Sequence, residues 1–458
     1  MGAVPGSAVR ARRREVPTNA TGVVTDTLTD TDTDTPTDTP TDTDTATVTD
    51  TASVPAAAAA SPLRIPAFRR FLLAHLVSAT GSAMAPVALA FAVIGHGGGA
   101  RSLGVVLTAN TVPTLVLLLL GGVLADRMSR SRILFLGNLG AGLAQAAVGV
   151  LVATGTATTL AISVCACLSG ASAGFIAPAA QGIASRLVPK DRLQQANALV
   201  RVPGNAVGVV GPVVGGFVVA LAGPAWALGW DAGTFVVAAL LLLGLRLTGS
   251  VASGGGVVSD LRVGWSGFRS RSWLWSYTVA GTAVVAAWLA GYQLLGPLVA
   301  AGSYAGARSW GLVQGAFAAG LLAGTFLCLA WKPRRLMLVC VVTGAGLMLP
   351  LAALGLELPL GWVLVAAVLA GIGLDVAIVS WSTVMQQQVP DRELGRLGAF
   401  NAVGERAAVP IAYLLVAVAS KHWTGQHILL ACAGVVLAAT LANACVRDVY
   451  RINRVSRE

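Results

Sequence analysis

The chain has 458 residues, 55% of them hydrophobic and 11% charged, with 31 Lys and Arg against 20 Asp and Glu and a net charge of +11. Its mean hydropathy is +0.75. Soluble domains carry about 25% charged residues, so this balance excludes an ordinary water-soluble enzyme and points to lipid. An apolar run of ~20 residues crosses the ~30 Å hydrocarbon core of a bilayer as a helix, and many such runs occur here, divided by short charged or Gly/Pro-rich connections.

Residues 1–66 come first and are predicted to form a disordered cytoplasmic tail. "TDTLTDTDTDTPTDTPTDTDTATVTD" and "AAAAAS" offer almost no apolar side chains to bury. "RARRR" is followed by no apolar stretch until after Ile65, so it does not begin a signal peptide. The tail reads either as an acidic partner-binding segment or as an extension without function.

Twelve spans follow, predicted at about residues 68–95, 103–126, 132–153, 158–183, 199–222 and 226–247, then 273–300, 310–331, 335–355, 361–385, 398–419 and 426–446. The first is interrupted by His75 and the breaker-rich "GSAMAP". The first six fill an N-terminal bundle, 67–247. A linker, 248–272, contains "DLRVGWSGFRS", a candidate amphipathic surface helix. The other six fill a C-terminal bundle, 273–446, and a short tail, 447–458, closes the chain.

With both termini on one side, that side receives every Lys and Arg of the 31 except Arg101, Arg308 and Lys421 opposite it and Arg406 within a span. Cytoplasmic loops retain basic residues, which predicts a multi-pass protein of the cell membrane with both termini cytoplasmic. The positive charge then reflects topology and contact with anionic lipid headgroups, and nucleic acid is not an expected partner.

The halves also repeat. "VPKDRLQQANALV" from Val188 and "VPDRELGRLGAFN" from Val389 share V-P-x-x-x-L, each between the fourth and fifth spans of its half. Two parallel six-span halves related by an axis along the membrane normal make a recognisable design.

Three stretches identify a family. "GGVLADRMSRSR", Gly121 to Arg132, looks like the G-x-L-a-D-R-x-G-R-[RK] loop signature between spans 2 and 3. Gly122, Leu124, Asp126, Arg127 and Arg130 match it, while Ser129 and Ser131 depart from it. "GNAVGVVGPVVGG", Gly204 to Gly216, resembles the G-P-x-x-G-G motif of exporters, and "GFIAPAAQGIASRLVPKDRLQQANAL" resembles macrolide-type efflux proteins. Over roughly residues 67–446 the sequence resembles the major facilitator superfamily, in its drug- and siderophore-efflux branch. The resemblance implies an all-α integral membrane fold of twelve helices in two pseudo-symmetric six-helix bundles.

It also implies roles. Asp126 would face the N-terminus of span 11, near Gly398, whose free N–H groups carry partial positive charge. Arg127 and Arg130 would neutralise that carboxylate or hold lipid phosphates, making a cytoplasmic gate with Gly122; three Args would also appear as a topological retention signal, but the regular G-x-L-A-D-R spacing favours the gate. The matching loop "AWKPRRLM" has bases but no acid. In span 5, Gly204, Gly208, Gly211, Gly215 and Gly216 make a small-residue face for close helix approach, and Pro212 favours a hinge.

Charges within lipid need an explanation. Asp231 lies early in span 6 and reads as a structural cap. Asp375 lies mid-span in span 10 and is a candidate titrating carboxylate, or a partner of Arg406; Glu405 and Arg406 are adjacent in span 11. Candidate cavity polar groups are His75, Asn110, Gln145, Gln181, Gln293 and Gln314, each equally readable as an interhelical hydrogen-bond partner. Trp288 and Trp381 read as ligand-stacking or packing residues, and Trp226, Trp230, Trp273, Trp275 and Trp310 as interfacial anchors. Span 4 lacks the Arg that proton-driven antiporters of the superfamily commonly carry, so proton coupling rests on the family alone.

The six cysteines and four histidines show no metal-ligand spacing, and no G-x-x-x-x-G-K-[ST] loop is present. No enzyme activity, cofactor or metal is expected. The reading is a monomeric secondary transporter that exports a small amphipathic compound by alternating access and proton antiport, with membrane lipid, proton and substrate as partners. A nutrient importer and a non-transporting sensor or scaffold are the alternatives.

Overall fold

The computed structural model describes residues 61–127, 129–180, 183, 187–243, 245, 265–331 and 333–452. The Thr/Asp-rich tail, most of the linker, Gln181 and the side chains of Gly122, Asp126 and Arg127 lie outside the described residues. The described residues are mostly helical, without strands.

Twelve helices are long and apolar enough to cross a membrane. In the first half they are α1 (Pro66–Gly95), α2 (Ala100–Arg127), α3 (Arg130–Ala153), α4 (Thr159–Ala180), α5 (Leu193–Ala222) and α6 (Pro224–Leu242). In the second half they are α7 (Ser272–Ser303), α8 (Gly306–Ala330), α9 (Leu336–Gly355), α10 (Leu360–Gln388), α11 (Asp391–Ala407, continued by Val409–Ala419) and α12 (Gly425–Ala444). A short helix, α13 (Arg447–Arg451), follows. Each apolar run becomes a helix because no water is available in the bilayer to satisfy exposed backbone groups. Prolines set several starts: α1 and α6 open on Pro66 and Pro224, where the missing N–H has no intrahelical acceptor to lose. Gly223, at φ 88°, makes the sharp turn from α5 into α6.

Three features differ from the expected spans. Helices α5 and α11 begin at Leu193 and Asp391, ahead of the predicted 199 and 398. Their first turns are polar and lie on the V-P segments, where a hydropathy window sees no span but Pro189 and Pro390 still start helical chain. Helix α7 contains a π turn at Leu289–Leu295, which apolar periodicity does not reveal.

The packing repeats. In the first half α1 packs on α5 and α6, α2 on α4, and α3 on α4 and α6; in the second, α7 packs on α11 and α12, α8 on α10, and α9 on α10 and α12. Each of these pairs recurs with both helix numbers raised by six, as two parallel copies of one bundle require. The halves meet through α5 with α8 and α2 with α11, again equivalent pairs.

The two V-P turns are equivalent in space as well. Val188 is buried with Phe68, Leu72 and Ala196, and Val389 with Phe268, Leu274 and Leu397. Each pins the loop after the fourth helix of its half against the start of the first. Arg271 reinforces the second with a 2.8 Å ion pair to Glu393.

Apolar burial is unequal across the membrane. On the face where α1 ends, here the distal face, one cluster includes residues of both halves, among them Val93, Leu103, Val219, Leu294, Val313 and Tyr413. On the face where α1 begins, the basic face, each cluster among the described residues keeps to one half: Phe71, Ile133, Ile183 and Leu242 in the first, Met337, Val341 and Val384 in the second. The halves are thus sealed together distally.

Candidate functional site

Glycines build the distal seal. A Cβ on Gly216 of α5 would stand 2.6 Å from the Ala307 carbonyl oxygen and 2.9 Å from Gly311 Cα of α8. On the other side of the interface, a Cβ on Gly104 of α2 would lie 3.0 Å from both the Tyr413 carbonyl oxygen and Ala417 Cβ of α11. The other span 5 glycines divide. Gly211 and Gly215 abut Ala83 and Met84 of α1 within the first half, whereas Gly204 and Gly208 have nothing within 4 Å of an added Cβ. Helix α5 runs unbroken through Pro203 and Pro212.

The polar residues fall into separate groups. In the first half Gln145 of α3 donates from Nε2 to Asp231 Oδ2 of α6 at 2.5 Å. Asp231 is 0% exposed. Gly81 of α1 closes the third side, since a side chain there would collide with Asp231 and Thr234. Two residues predicted separately, a cap and a cavity group, therefore form one node joining α1, α3 and α6. Asn110 of α2 donates to the Ala166 carbonyl of α4 at 3.0 Å, and Thr114 to that of Gly170 at 2.9 Å; Asn110 links two helices. His75 is exposed on α1, with its ring against Phe71. Gln293 and Gln314 are half-buried on α7 and α8.

In the second half Asp375 of α10 accepts a 3.0 Å hydrogen bond from Thr325 of α8 and makes no ion pair with Arg406, which is exposed. Glu405 of α11 belongs to a longer seam against α7. Thr278 donates to Asn401 Oδ1 at 2.7 Å, Asn401 Nδ2 donates to Glu405 Oε1 at 3.1 Å, and Thr282 donates to the Gly404 carbonyl at 2.9 Å. Gly281 leaves room for the carboxylate, an added Cβ lying 3.1 Å from Glu405 Oε1. Thr278, Asn401 and Thr325 were not among the sequence candidates; Thr and Asn are unremarkable in a span until a carboxylate is seen beside them.

Both tryptophans read as stacking or packing residues are packed within the protein. Trp381 stacks on Tyr277 at 3.9 Å between centroids, and Trp288 on Tyr292 at 4.2 Å. Trp310, expected at the interface, is instead 1% exposed, lodged against Gly296 and Tyr292. Its place at the start of α8 suited an anchor, but only glycine at 296 leaves the space that takes the indole inward. Trp226 and Trp230 are exposed.

Outside the spans, Glu357 braces the distal loops of the second half. It accepts from Gln426 Nε2 at 2.7 Å and from the Ser303 hydroxyl at 2.9 Å, while Tyr304 donates to the Leu358 carbonyl at 2.5 Å. The Gln426 and Ser303 donors hold the Glu357 carboxyl below its ordinary pKa. Burial, and then the nearby Glu357 charge, raise the Tyr304 hydroxyl. A depressed carboxyl pKa stabilises the fold above the unfolded value of ~4.3 and loses that contribution as pH falls through the folded value. Glu357→Gln should therefore melt below wild type at neutral pH, and the gap should close once the pH drops beneath the glutamate range.

Among the described residues no group of three or more His, Cys, Asp or Glu is placed to hold a metal ion. What the spans present is a mostly apolar interior with isolated carboxyls bonded to neutral donors. Such carboxyls can take up and release protons without breaking an ion pair.

The comparisons agree with this frame. The family model described as Major Facilitator Superfamily matches residues 71–412. The enterobactin exporter EntS of Escherichia coli O1:K1 / APEC is 28% identical over 387 residues, 80% of this chain and 90% of EntS. The multidrug efflux pump Tap of Mycolicibacterium fortuitum is 30% identical over 209 residues, 42% of this chain and 51% of Tap. Among solved structures, the nucleoside transporter NupG aligns with a TM-score of 0.63 at 13% identity, covering 82% of this chain and 98% of NupG. A bacterial homologue of the iron transporter ferroportin in an inward-facing state aligns with a TM-score of 0.62 at 18% identity, covering 83% and 98%.

Proposed function

Because the chain belongs to the Major Facilitator Superfamily, a family of membrane transporters, we propose that it is a secondary exporter of a small amphipathic compound, driven by proton antiport. The observation that carries this reading is the distal seal: a shared apolar cluster joins the halves distally, while among the described residues the basic-face clusters stay within their own halves. That is one of the two end states that alternating access needs. Export as the direction is supported by the G-P-x-x-G-G-like run of α5 and by relatives described as exporters. An amphipathic substrate suits an interior with few polar groups, since a sugar would demand many directed hydrogen bonds.

In this reading the basic face is cytoplasmic, following its retained Lys and Arg. The loop Gly122–Arg130 closes that face in the opposite state. Asp231, Glu405 and Asp375, each bonded to a neutral side chain, carry the exchanged protons.

The test is accumulation of a fluorescent amphipathic cation such as ethidium in cells with and without the chain. Lower accumulation with the chain, restored by a protonophore, is expected. Higher accumulation would make it an importer, and efflux indifferent to the protonophore would refute proton coupling.

A further inference from the structure

On the outside of the first half, α5 stands away from α3 and α6 and leaves a groove of about 1130 Å³ floored by α1. Small residues open it: Ala146, Gly149 and Ala153 on α3, and Ala225 and Gly229 on α6. Apart from Thr80 and the indoles of Trp226 and Trp230, its lining side chains are apolar. The Thr80 hydroxyl is already spent on the Val77 carbonyl at 2.7 Å. Ordered water needs two to four polar partners, which such a lining does not provide.

We infer that this groove binds one acyl chain of a phospholipid from the distal leaflet. Position, length and rim each fit that occupant. The groove lies within the membrane-spanning part of four helices, so hydrocarbon is the medium that meets it. Along α5 it runs from Val207 to Ala222, ~22 Å at 1.5 Å per residue. One leaflet contributes half of the ~30 Å core, so a chain entering from the distal surface lies in the groove over its whole depth. At that surface Trp226 and Trp230 stand 71% and 58% exposed on the first turns of α6, where indoles pack at headgroup level. The same projecting indoles obstruct a helix ~10–12 Å across, which disfavours a second copy of the chain. Bulk lipid is equally apolar, so occupancy rests on fit and dispersion contacts rather than on escape from water.

The floor gives the site a consequence. Thr80, Ala146 and Ala232 line the groove, and each is the sequence neighbour of a member of the buried node, Gly81, Gln145 and Asp231. One wall is α5, whose opposite side forms the distal seal with α8. A bound chain therefore wedges between the node and the helix that forms the distal seal.

Gly229→Phe fills the groove from a position where an added Cβ meets nothing within 4 Å; Val210→Phe fills it from the other wall. Leu160→Phe, on an exposed position of α4 that does not line this groove, is the control. The full chain, purified from membranes, is examined by native mass spectrometry for retained phospholipid. It is also reconstituted in phosphatidylethanolamine–phosphatidylglycerol vesicles with brominated acyl chains, and its tryptophan quenching is read. Wild type and Leu160→Phe should keep one phospholipid under detergent that strips the rest, and both filling variants should lose it and show less quenching. Equal retention and quenching in all four proteins would overturn the assignment. So would a wild-type dimer without lipid that Gly229→Phe dissociates. Neither readout needs transport, so the result stands apart from the export reading.

Discussion

Gly216→Leu is expected to abolish transport, whereas Gly208→Ala should leave it intact. The two glycines lie two turns apart on one helix, yet only Gly216 faces backbone of the other half, at Ala307 and Gly311. A flexible side chain could move aside; a carbonyl oxygen and a Cα cannot, so α5 and α8 must separate. Overpacking of this kind costs about 1–3 kcal/mol. Because the contact crosses between halves, that cost falls on the sealed distal state and not on the folding of either bundle. A tenfold population shift takes 1.4 kcal/mol, so the sealed state should lose about one to two orders of magnitude in occupancy. A cysteine placed at Leu294, buried in the distal cluster, reports this directly through faster labelling by an impermeant maleimide in the Gly216→Leu background. Gly208→Ala should instead raise the melting temperature slightly, since alanine in a helix is favoured over glycine by up to ~1 kcal/mol. Unchanged labelling and transport in Gly216→Leu would contradict the gate.

Asp231 separates structure from coupling. Asp231→Ala removes the acceptor of Gln145 Nε2 and leaves a buried amide unsatisfied, at about 1–3 kcal/mol; reduced thermal stability in detergent is the expected result. Asp231→Asn keeps the volume and an acceptor oxygen, and should melt close to wild type. In a proton-coupled exporter it should still bind substrate but lose efflux driven by a pH gradient. Should Asp231→Asn retain gradient-driven efflux, Asp231 is a structural member only, and Glu405→Gln becomes the decisive variant.

The spans could be read from the sequence because lipid imposes length and hydropathy on each helix separately. Two parallel halves were legible for a related reason: Val188–Pro189 and Val389–Pro390 do the same local task, wedging a loop beneath Phe68 and Phe268. The pairing of Gln145 with Asp231 was hidden, since it joins helices 86 residues apart and each residue alone has an ordinary interpretation. The span 5 glycines were equally indistinguishable. Their spacing shows a small-residue face, but which glycine meets α1, which meets α8 and which meets nothing depends on how the bundles dock. The early start of α11 escaped because amphipathic turns outside the hydrocarbon leave no mark on a span-finding window.

The wide turn at Leu289–Leu295 gives α7 two possible phases. A π turn takes up one residue more than an α turn, and expelling that residue would rotate the basic-side portion of α7 by about 100° against its distal end. Thr278 and Thr282, bonded to Asn401 and Gly404, oppose that rotation, and the Trp288–Tyr292 stack spans the place where it would occur. A single-residue slip inside one helix is thus held in check by a row of threonines.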